Sequence, residues 1–254
     1  MIPLIENLQQ LKPICLEEIE TLKLLNRIDR KYLLNRSEYI QFSEEVALLG
    51  YRVLTVNNCI VQDYQTTYYD NEKLQLYLDH HNKRENRVKV RIRTYKTTGD
   101  TFLEVKQRVN SGGETRKKRI PMEANRLIGD REIKFIDKYS KIPAKDLHPV
   151  AHTNFERVTL TSEKWQERVT IDFNLKVIFS EKHIHFQDIV IVEVKKEKNS
   201  AFNGISCYLK DKLIRPIPLS KYCLAIAALN PSIKHNQFKP ILQKLNIGND
   251  GYNT

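Results

Sequence analysis

The chain has 254 residues, of which 41% are hydrophobic and 29% are charged, and this composition excludes an intrinsically disordered protein. Lys and Arg number 42 against 31 Asp and Glu, a net charge of +11 that indicates either an anionic partner or a merely solvated basic surface. Four separated cysteines argue against a zinc knuckle or a redox pair, and no segment reaches the roughly 18 apolar residues of a membrane span. We therefore expect a cytoplasmic protein with free thiols.

Residues 1–25 are expected to form a helical lead-in. Leucine and isoleucine recur at helical spacing up to residue 25, with glutamates between them. The alternating segment 27–34 predicts a strand, and Ser37 and Gly50 are predicted to bound a helix over 38–49.

From residue 59 the hydrophobic period changes to two, which indicates strands joined by Gly-containing turns. The segments predicted as strands are 59–70, 87–96, 101–109, 114–122, 152–161, 167–175 and 188–197. Helices are predicted over 130–140, 201–213 and 220–229. We expect one α+β domain over 1–232, mostly β, followed by a loosely packed tail over 233–254.

Charged and apolar side chains alternate along several predicted strands. Side chains that are two residues apart lie on one face of a strand, so Lys89, Arg91 and Arg93 form a cationic row opposite an apolar row. The strands that contain Lys106 and Lys195 show the same division. An open sheet would leave the charged faces in water, whereas a closed barrel would turn them inwards.

We expect the second arrangement, a closed antiparallel eight-stranded tunnel barrel with a basic interior and flanking helices. Buried cations are costly unless they are paired, and a linear polyphosphate in the tunnel would pair them. Glu104 and Glu193 are the acidic residues expected to hold a divalent metal against the phosphates.

Five short motifs occur in order along the chain: Asp29-Arg30-Lys31-Tyr32, Val90-Arg91-Ile92-Arg93, Leu103-Glu104-Val105-Lys106, Val192-Glu193-Val194-Lys195 and Ser220-Lys221-Tyr222. Together they resemble the VTC (vacuolar transporter chaperone) domain, the polyphosphate polymerase branch of the triphosphate tunnel metalloenzymes. The resemblance implies a tunnel with basic walls. It also implies an enzyme that transfers the γ-phosphate of ATP to a growing polyphosphate chain with the help of Mn²⁺ or Mg²⁺.

The resemblance implies roles for individual side chains as well. The residues expected to act in catalysis are Lys31, Arg91, Arg93, Lys106 and Arg157. Further phosphate contacts are expected from Lys89, Lys118, Lys195 and Lys221. Glu193 resembles the metal-binding glutamate, and Glu104 is expected to assist it.

The sequence departs from the family pattern at two places. Tunnel hydrolases begin with Glu-x-Glu-x-Lys, but here those positions are Arg27, Asp29 and Lys31, which favours the polymerase branch. Polymerases carry another lysine shortly before the Ser-Lys-aromatic motif, where this chain has Pro216-Ile217-Pro218-Leu219.

Three other functions stay open. The same fold would serve a triphosphatase that hydrolyses triphosphate or nucleoside triphosphates, and it would also serve a non-catalytic module that binds polyphosphate. A nucleic-acid binder would need outward basic rows beside aromatic platforms such as Tyr68 and Tyr77, but aromatic residues in strands mostly pack, so nucleic acid is disfavoured. Without a membrane segment, transfer of a product across a membrane would require a membrane partner protein.

Overall fold

A computed structural model describes residues 5–21, 27–109, 114–124, 126–198 and 203–247. Its strands are β1 (Lys12–Ile14), β2 (Arg27–Asn35), β3 (Arg52–Leu54), β4 (Gln62–Asp70), β5 (Val88–Tyr95), β6 (Thr101–Val109), β7 (Glu114–Met122), β8 (His148–Ser162), β9 (Glu167–Phe179), β10 (Lys182–Phe186) and β11 (Ile189–Glu197). Its α-helices are α1 (Glu6–Gln9), α2 (Leu16–Thr21), α3 (Arg36–Leu48), α4 (Gln75–His81), α5 (Asp130–Tyr139), α6 (Ile205–Asp211), α7 (Lys221–Leu229) and α8 (Lys239–Lys244).

The strands form a mostly antiparallel sheet with flanking helices, which confirms the predicted α+β class. Their hydrogen-bonded order is β2-β11-β9-β8-β4-β5-β6-β7, with β1 and β3 paired in parallel beside β8, and β10 beside β9. This order is an open path, so the predicted closure into a barrel is not confirmed. Alternation in a sequence specifies which side chains share a face, whereas closure depends on strand tilt and stagger accumulated over the whole sheet.

The long strands and α5 lie close to their predicted positions, but several elements were missed. The tail over 233–247 packs more tightly than expected, since Phe238, Ile241 and Leu242 are buried, and residues 248–254 lie outside the described residues. Helix α3 is capped by Asn35, whose side chain accepts from the Glu38 amide in a capping box, and not by Ser37. In the described residues, no helix is both long enough and apolar enough to cross a membrane.

The chain divides into two compact units. Unit 1 comprises Met1–Asp63, Phe155–Leu175 and Phe186–Leu219, and unit 2 comprises Tyr64–Asn154, Lys176–His185 and Ser220–Thr254.

In unit 1, one face of the β2–β11–β9 ladder forms the core under α3. The buried side chains of this face include Leu34, Val192, Ile171 and, from α3, Phe42. Side chains alternate along a strand, so Lys31, three positions before Leu34, and Glu193, next to Val192, lie on the opposite face of the ladder.

In unit 2, the β5–β6–β7 meander is divided in the same way. Val88 and Val90 of β5 pack with Leu103 and Val105 of β6, and Ile136 of α5 joins them. Burial of this apolar row leaves the charged residues of the same strands on the other face.

Candidate functional site

Three lysines lie directly opposite one another on one face of unit 2. Lys89 of β5 pairs with Lys106 of β6, and Lys106 pairs with Lys117 of β7. We call the side of the meander that carries Lys89, Arg91, Arg93, Glu104, Lys106 and Lys117 the lysine face. Like charges at directly opposed positions of a sheet repel one another.

One buried carboxylate compensates part of this charge. Glu104 is directly opposite Arg91, whose Nε and Nη2 atoms lie 2.7 Å and 2.6 Å from Glu104 Oε2. Lys117 forms an ion pair with the other oxygen. Burial by itself would raise the pKa of Glu104, but Arg91, Arg93 and Lys117 outweigh it and lower the pKa to about 2. Glu104 therefore remains ionised and holds the Arg91 guanidinium in place.

Arg93 is fixed by neutral groups. Its Nε donates to the Thr66 hydroxyl at 3.2 Å, and its guanidinium lies 5.4 Å from the centre of the Tyr64 ring. Both partners come from β4, in which Thr66 pairs with Arg93. These contacts orient the guanidinium, whose charge also helps to lower the pKa of Glu104.

The Ser-Lys-Tyr motif begins α7 and is anchored on both sides. The Ser220 hydroxyl accepts from Lys89 Nζ at 2.7 Å and from the Cys223 amide at 3.4 Å. The Tyr222 hydroxyl donates to the buried Asp70 carboxylate, and the Tyr222 ring stacks on Tyr68 at 5.1 Å. These contacts place Lys221, the first residue of α7, beside the residue that binds Lys89.

Unit 1 has its own charged face, built on the ladder of β2, β11 and β9. Lys31, Glu193 and Thr170 form one row across the three strands, and Asp29, Lys195 and Arg168 form the next. We call this side, together with Arg157 and Asp172, the paired face, because its cations alternate with carboxylates.

Two ion pairs order the paired face. Lys195 Nζ lies 2.6 Å from Glu193 Oε2, and Arg157 holds Asp172 through two bonds of 2.5 Å and 2.7 Å. Burial by itself would raise the pKa of Glu193, but Lys195, Lys31 and Arg157 bring it well below its usual value. Glu193 is therefore a carboxylate at any physiological pH.

The Pro-Ile-Pro-Leu segment contacts the backbone and side chain of Lys31. The Lys31 ammonium donates to the Leu219 carbonyl at 2.8 Å, and the Ile217 amide donates to the Lys31 carbonyl at 2.7 Å. The segment at the place of the expected lysine thus positions Lys31, which is itself predicted to contact phosphate.

The acidic residues restrict how a metal ion would bind. Among the described residues, no three His, Cys, Asp or Glu side chains come together as a metal site. Asp29 is paired with Arg27 at 3.0 Å. Mg²⁺ usually takes one or two carboxylates and completes its shell with water and substrate phosphates, and the ionised Glu193 fits that mode. The two predicted metal ligands, Glu193 and Glu104, belong to different units.

The structure therefore brings the predicted residues together in two groups. Lys89, Arg91, Arg93, Glu104 and Lys106 share the lysine face, and Lys31, Arg157, Glu193 and Lys195 share the paired face. Lys118 does not share the lysine face, because it pairs with Val105 on the apolar side of β6.

Sequence reasoning missed the roles of Lys117, Asp172 and Thr170. Alternation within one strand separates Lys117 from Lys118, but only the register with β6 shows which of them lies beside Glu104. The sequence shows Asp172 as a charged residue in a predicted strand. It does not show that Asp172 binds Arg157, which lies 15 residues earlier on β8.

Comparison with known proteins gives a family model and several similar folds. The model of the VTC domain matches residues 26–230. Among curated proteins, none matches this chain. A Hippeastrum protein, whose dominant activity is described as that of a triphosphatase, has a TM-score of 0.51 at 13% identity, over 80% of this chain and 96% of that chain. A candidate adenylate cyclase from Bacillus halodurans has a TM-score of 0.44 at 12% identity, over 90% and 94% of the two chains.

Proposed function

The chain belongs to the VTC domain family, whose model spans residues 26–230, and from this premise we propose that it is a polyphosphate polymerase. Its substrates are ATP and a growing polyphosphate chain, and it transfers the γ-phosphate of the first to the end of the second. The acceptor is a terminal phosphate and not a protein side chain.

The row Lys89–Lys106–Lys117 is the observation that carries this proposal. Folding places three lysines at directly opposed positions of adjacent strands, where neutral side chains would avoid the repulsion between like charges. An anion that lies along the row would turn this repulsion into attraction. A chain of phosphates carries one charge or more per unit, which matches cations spaced along successive strands.

Phosphoryl transfer demands positioning and charge neutralisation more than covalent chemistry. On the lysine face, Arg91 and Arg93 present planar guanidinium groups that are suited to bidentate phosphate binding. Arg91 is oriented by Glu104 and Arg93 by Thr66, so the loss of side-chain entropy on binding is reduced. On the paired face, Lys31 and Arg157 are oriented by Leu219 and Asp172.

A divalent cation, Mn²⁺ or Mg²⁺, would supply positive charge that stabilises the developing charge on the leaving group. Glu193 is the residue that would hold it, because its carboxylate stays ionised among cations. Lys195, which is bound to the same carboxylate, fixes the direction of the oxygen atoms.

Hydrolysis of triphosphate is the second candidate, since the described activity of the Hippeastrum protein is of this kind and its fold is similar at a TM-score of 0.51. Hydrolysis needs the same cations but a water as acceptor. Nucleic acid is less well supported, because Tyr68 and Tyr77 are buried and offer no platform for a base.

Incubation of the purified chain with ATP and Mn²⁺ tests the proposal. We expect polyphosphate of increasing length on a gel and one ADP for each phosphate added. Phosphate release without chain growth would identify a hydrolase, and tight polyphosphate binding without turnover would identify a binding module. If the chain shows neither turnover of ATP nor binding of polyphosphate, the proposal is overturned altogether.

A matched pair of variants tests the role of Glu193. We expect Glu193→Gln to lose metal-dependent turnover while it still binds polyphosphate. Glu163→Gln is the control, because Glu163 is 66% exposed and its contact with Arg52 is as long as 4.0 Å. Equal activity of the two variants would remove Glu193 from the mechanism.

A further inference from the structure

A buried hydroxyl group lies unused on the paired face. Thr170 is 5% exposed, and in the described part of the chain its Oγ1 has no hydrogen-bond partner. A buried hydroxyl without a partner is unusual, because most buried polar atoms in proteins are hydrogen-bonded to protein or water.

The position of Thr170 points to a ligand. Its cross-strand neighbour is Glu193, which in turn pairs with Lys31, so the three residues form one row. The Glu193 carboxylate binds Lys195 at 2.6 Å, and Asp172, two residues along β9, binds Arg157. The hydroxyl thus lies among the cations that are proposed to bind phosphate.

The energetic balance also argues for a ligand. An unpartnered buried hydroxyl destabilises the fold, whereas valine has the same shape and an equal preference for strands. The folded protein therefore gains nothing from this oxygen atom in the arrangement described. A phosphoryl oxygen would accept a hydrogen bond from it and remove the penalty.

We propose that Thr170 is a substrate-contacting residue whose hydroxyl donates a hydrogen bond to a phosphoryl oxygen bound at the paired face. This inference rests on the proposed function, since it needs a phosphate chain as ligand. The ammonium and guanidinium groups around it attract the chain, and the short, rigid threonine adds a directional bond that fixes the position of one oxygen.

Three variants test the inference, with inorganic tripolyphosphate as the probe. Thr170→Val removes the hydroxyl at constant shape, and Thr170→Ser retains it. Thr161→Val is the control, because Thr161 is a buried threonine whose hydroxyl already donates to the Glu167 carbonyl at 3.4 Å. Calorimetry measures the affinity, and thermal unfolding without ligand measures the stability.

We expect opposite signs for the two measurements on Thr170→Val. The affinity falls about five- to tenfold, while the unfolding temperature of the free protein stays equal or rises. Thr170→Ser binds within about twofold of the wild type, and Thr161→Val loses stability without losing affinity.

Wild-type affinity in Thr170→Val would overturn the inference and leave the proposed function standing. Loss of both stability and affinity in Thr170→Val and Thr170→Ser alike would mean a packing role and would also overturn it. Absence of tripolyphosphate binding by the wild type would overturn the proposed function together with the inference.

Discussion

The two charged faces are built on similar three-strand ladders, but their charges are arranged differently. Across β2, β11 and β9 the paired face alternates in sign, with the Glu193 carboxylate beside Lys31 and Lys195. Across β5, β6 and β7 the lysine face sets three ammonium groups in line. On the paired face the cations therefore alternate with carboxylates, whereas on the lysine face the cations outnumber the carboxylates among the residues named above.

This difference separates two tasks that a phosphate-binding protein has to perform. Compensated cations are held in fixed positions before any ligand arrives, which favours accurate orientation of the reacting groups. Cations in excess supply attraction, because an anion that binds among them relieves part of their mutual repulsion. We expect substitution of the three opposed lysines to change affinity most, and substitution of cations held by carboxylates, Arg91 among them, to change turnover.

Replacement of Arg91 has the largest expected effect. Arg91→Met leaves the carboxylate of Glu104, which is 1% exposed, with only part of its compensation. Loss of one partner of a buried ion pair costs about 3–5 kcal/mol of unfolding free energy, and loss of a guanidinium contact in the transition state lowers turnover by about a hundredfold or more. Urea unfolding and the polyphosphate assay measure the two effects.

The double variant Arg91→Met with Glu104→Leu separates these effects. Removal of both charges leaves neither of the two unpaired, and Lys117, which also loses its carboxylate partner, is 40% exposed and can be hydrated. Most of the lost stability should therefore return while activity stays low. Recovery of activity together with stability would mean that Arg91 is needed only for folding, and the lysine face would lose its catalytic role.

Acid should affect the stability of the protein through the same carboxylate. Because the pKa of Glu104 is lowered from 4.5 to about 2, its ionised form stabilises the folded state above pH 4.5. This contribution is lost progressively as the pH falls from about 4.5 to about 2, and a shift of this size corresponds to roughly 3 kcal/mol. Urea unfolding at pH 5 and pH 2.5 measures the loss of stability. This loss should be smaller in Glu104→Gln than in the wild type. An equal loss in the two proteins would mean that other carboxylates cause it.

The local elements of the fold could be predicted well, because they depend on patterns within one segment. The alternation of Arg91 with Val90 and Ile92 predicts both the strand and the face of each side chain, and the register confirms it. Helix α4 was missed because its start depends on Asp70, whose carboxylate accepts from the Leu76 and Tyr77 amides at 2.9 Å. Such a contact exists only once the chain has turned back on itself.

The charged residues of the two faces could be named from the sequence, but their partners could not. The motifs identify Lys31, Glu193 and Arg91, but the partner of Lys31 is the Leu219 carbonyl, 188 residues later in the sequence. Contacts over such separations depend on strand order and register. The expected closure of the barrel was an inference of the same kind, and an alternating pattern does not contain it.

Lys117 and Lys118 provide a test between neighbouring residues on opposite faces of β7. Lys117→Met removes a partner of Glu104 and a member of the lysine row, so we expect tripolyphosphate affinity to fall about tenfold and stability by about 1–2 kcal/mol. Lys118→Met should change stability by less than about 0.5 kcal/mol and affinity by less than about twofold, because Lys118 is exposed on the other face. Calorimetry and urea unfolding compare the two, and a larger effect of Lys118→Met would refute the assignment of faces.

The smallest expected change is the most specific test of the difference between the faces. Lys106 is the middle member of the lysine row, directly opposite Lys89 and Lys117. Removal of its charge in Lys106→Met should therefore relieve the repulsion within the row, which is worth about 0.2–1 kcal/mol for each opposed pair. The same substitution should lower the stabilisation by added tripolyphosphate, because one attractive charge is lost.

Lys195→Met, on the paired face, should instead lower the stability of the free protein, since it leaves Glu193 without its 2.6 Å partner. Thermal unfolding with and without tripolyphosphate measures both variants, and an undiminished stabilisation of Lys106→Met by tripolyphosphate would remove Lys106 from the proposed binding face.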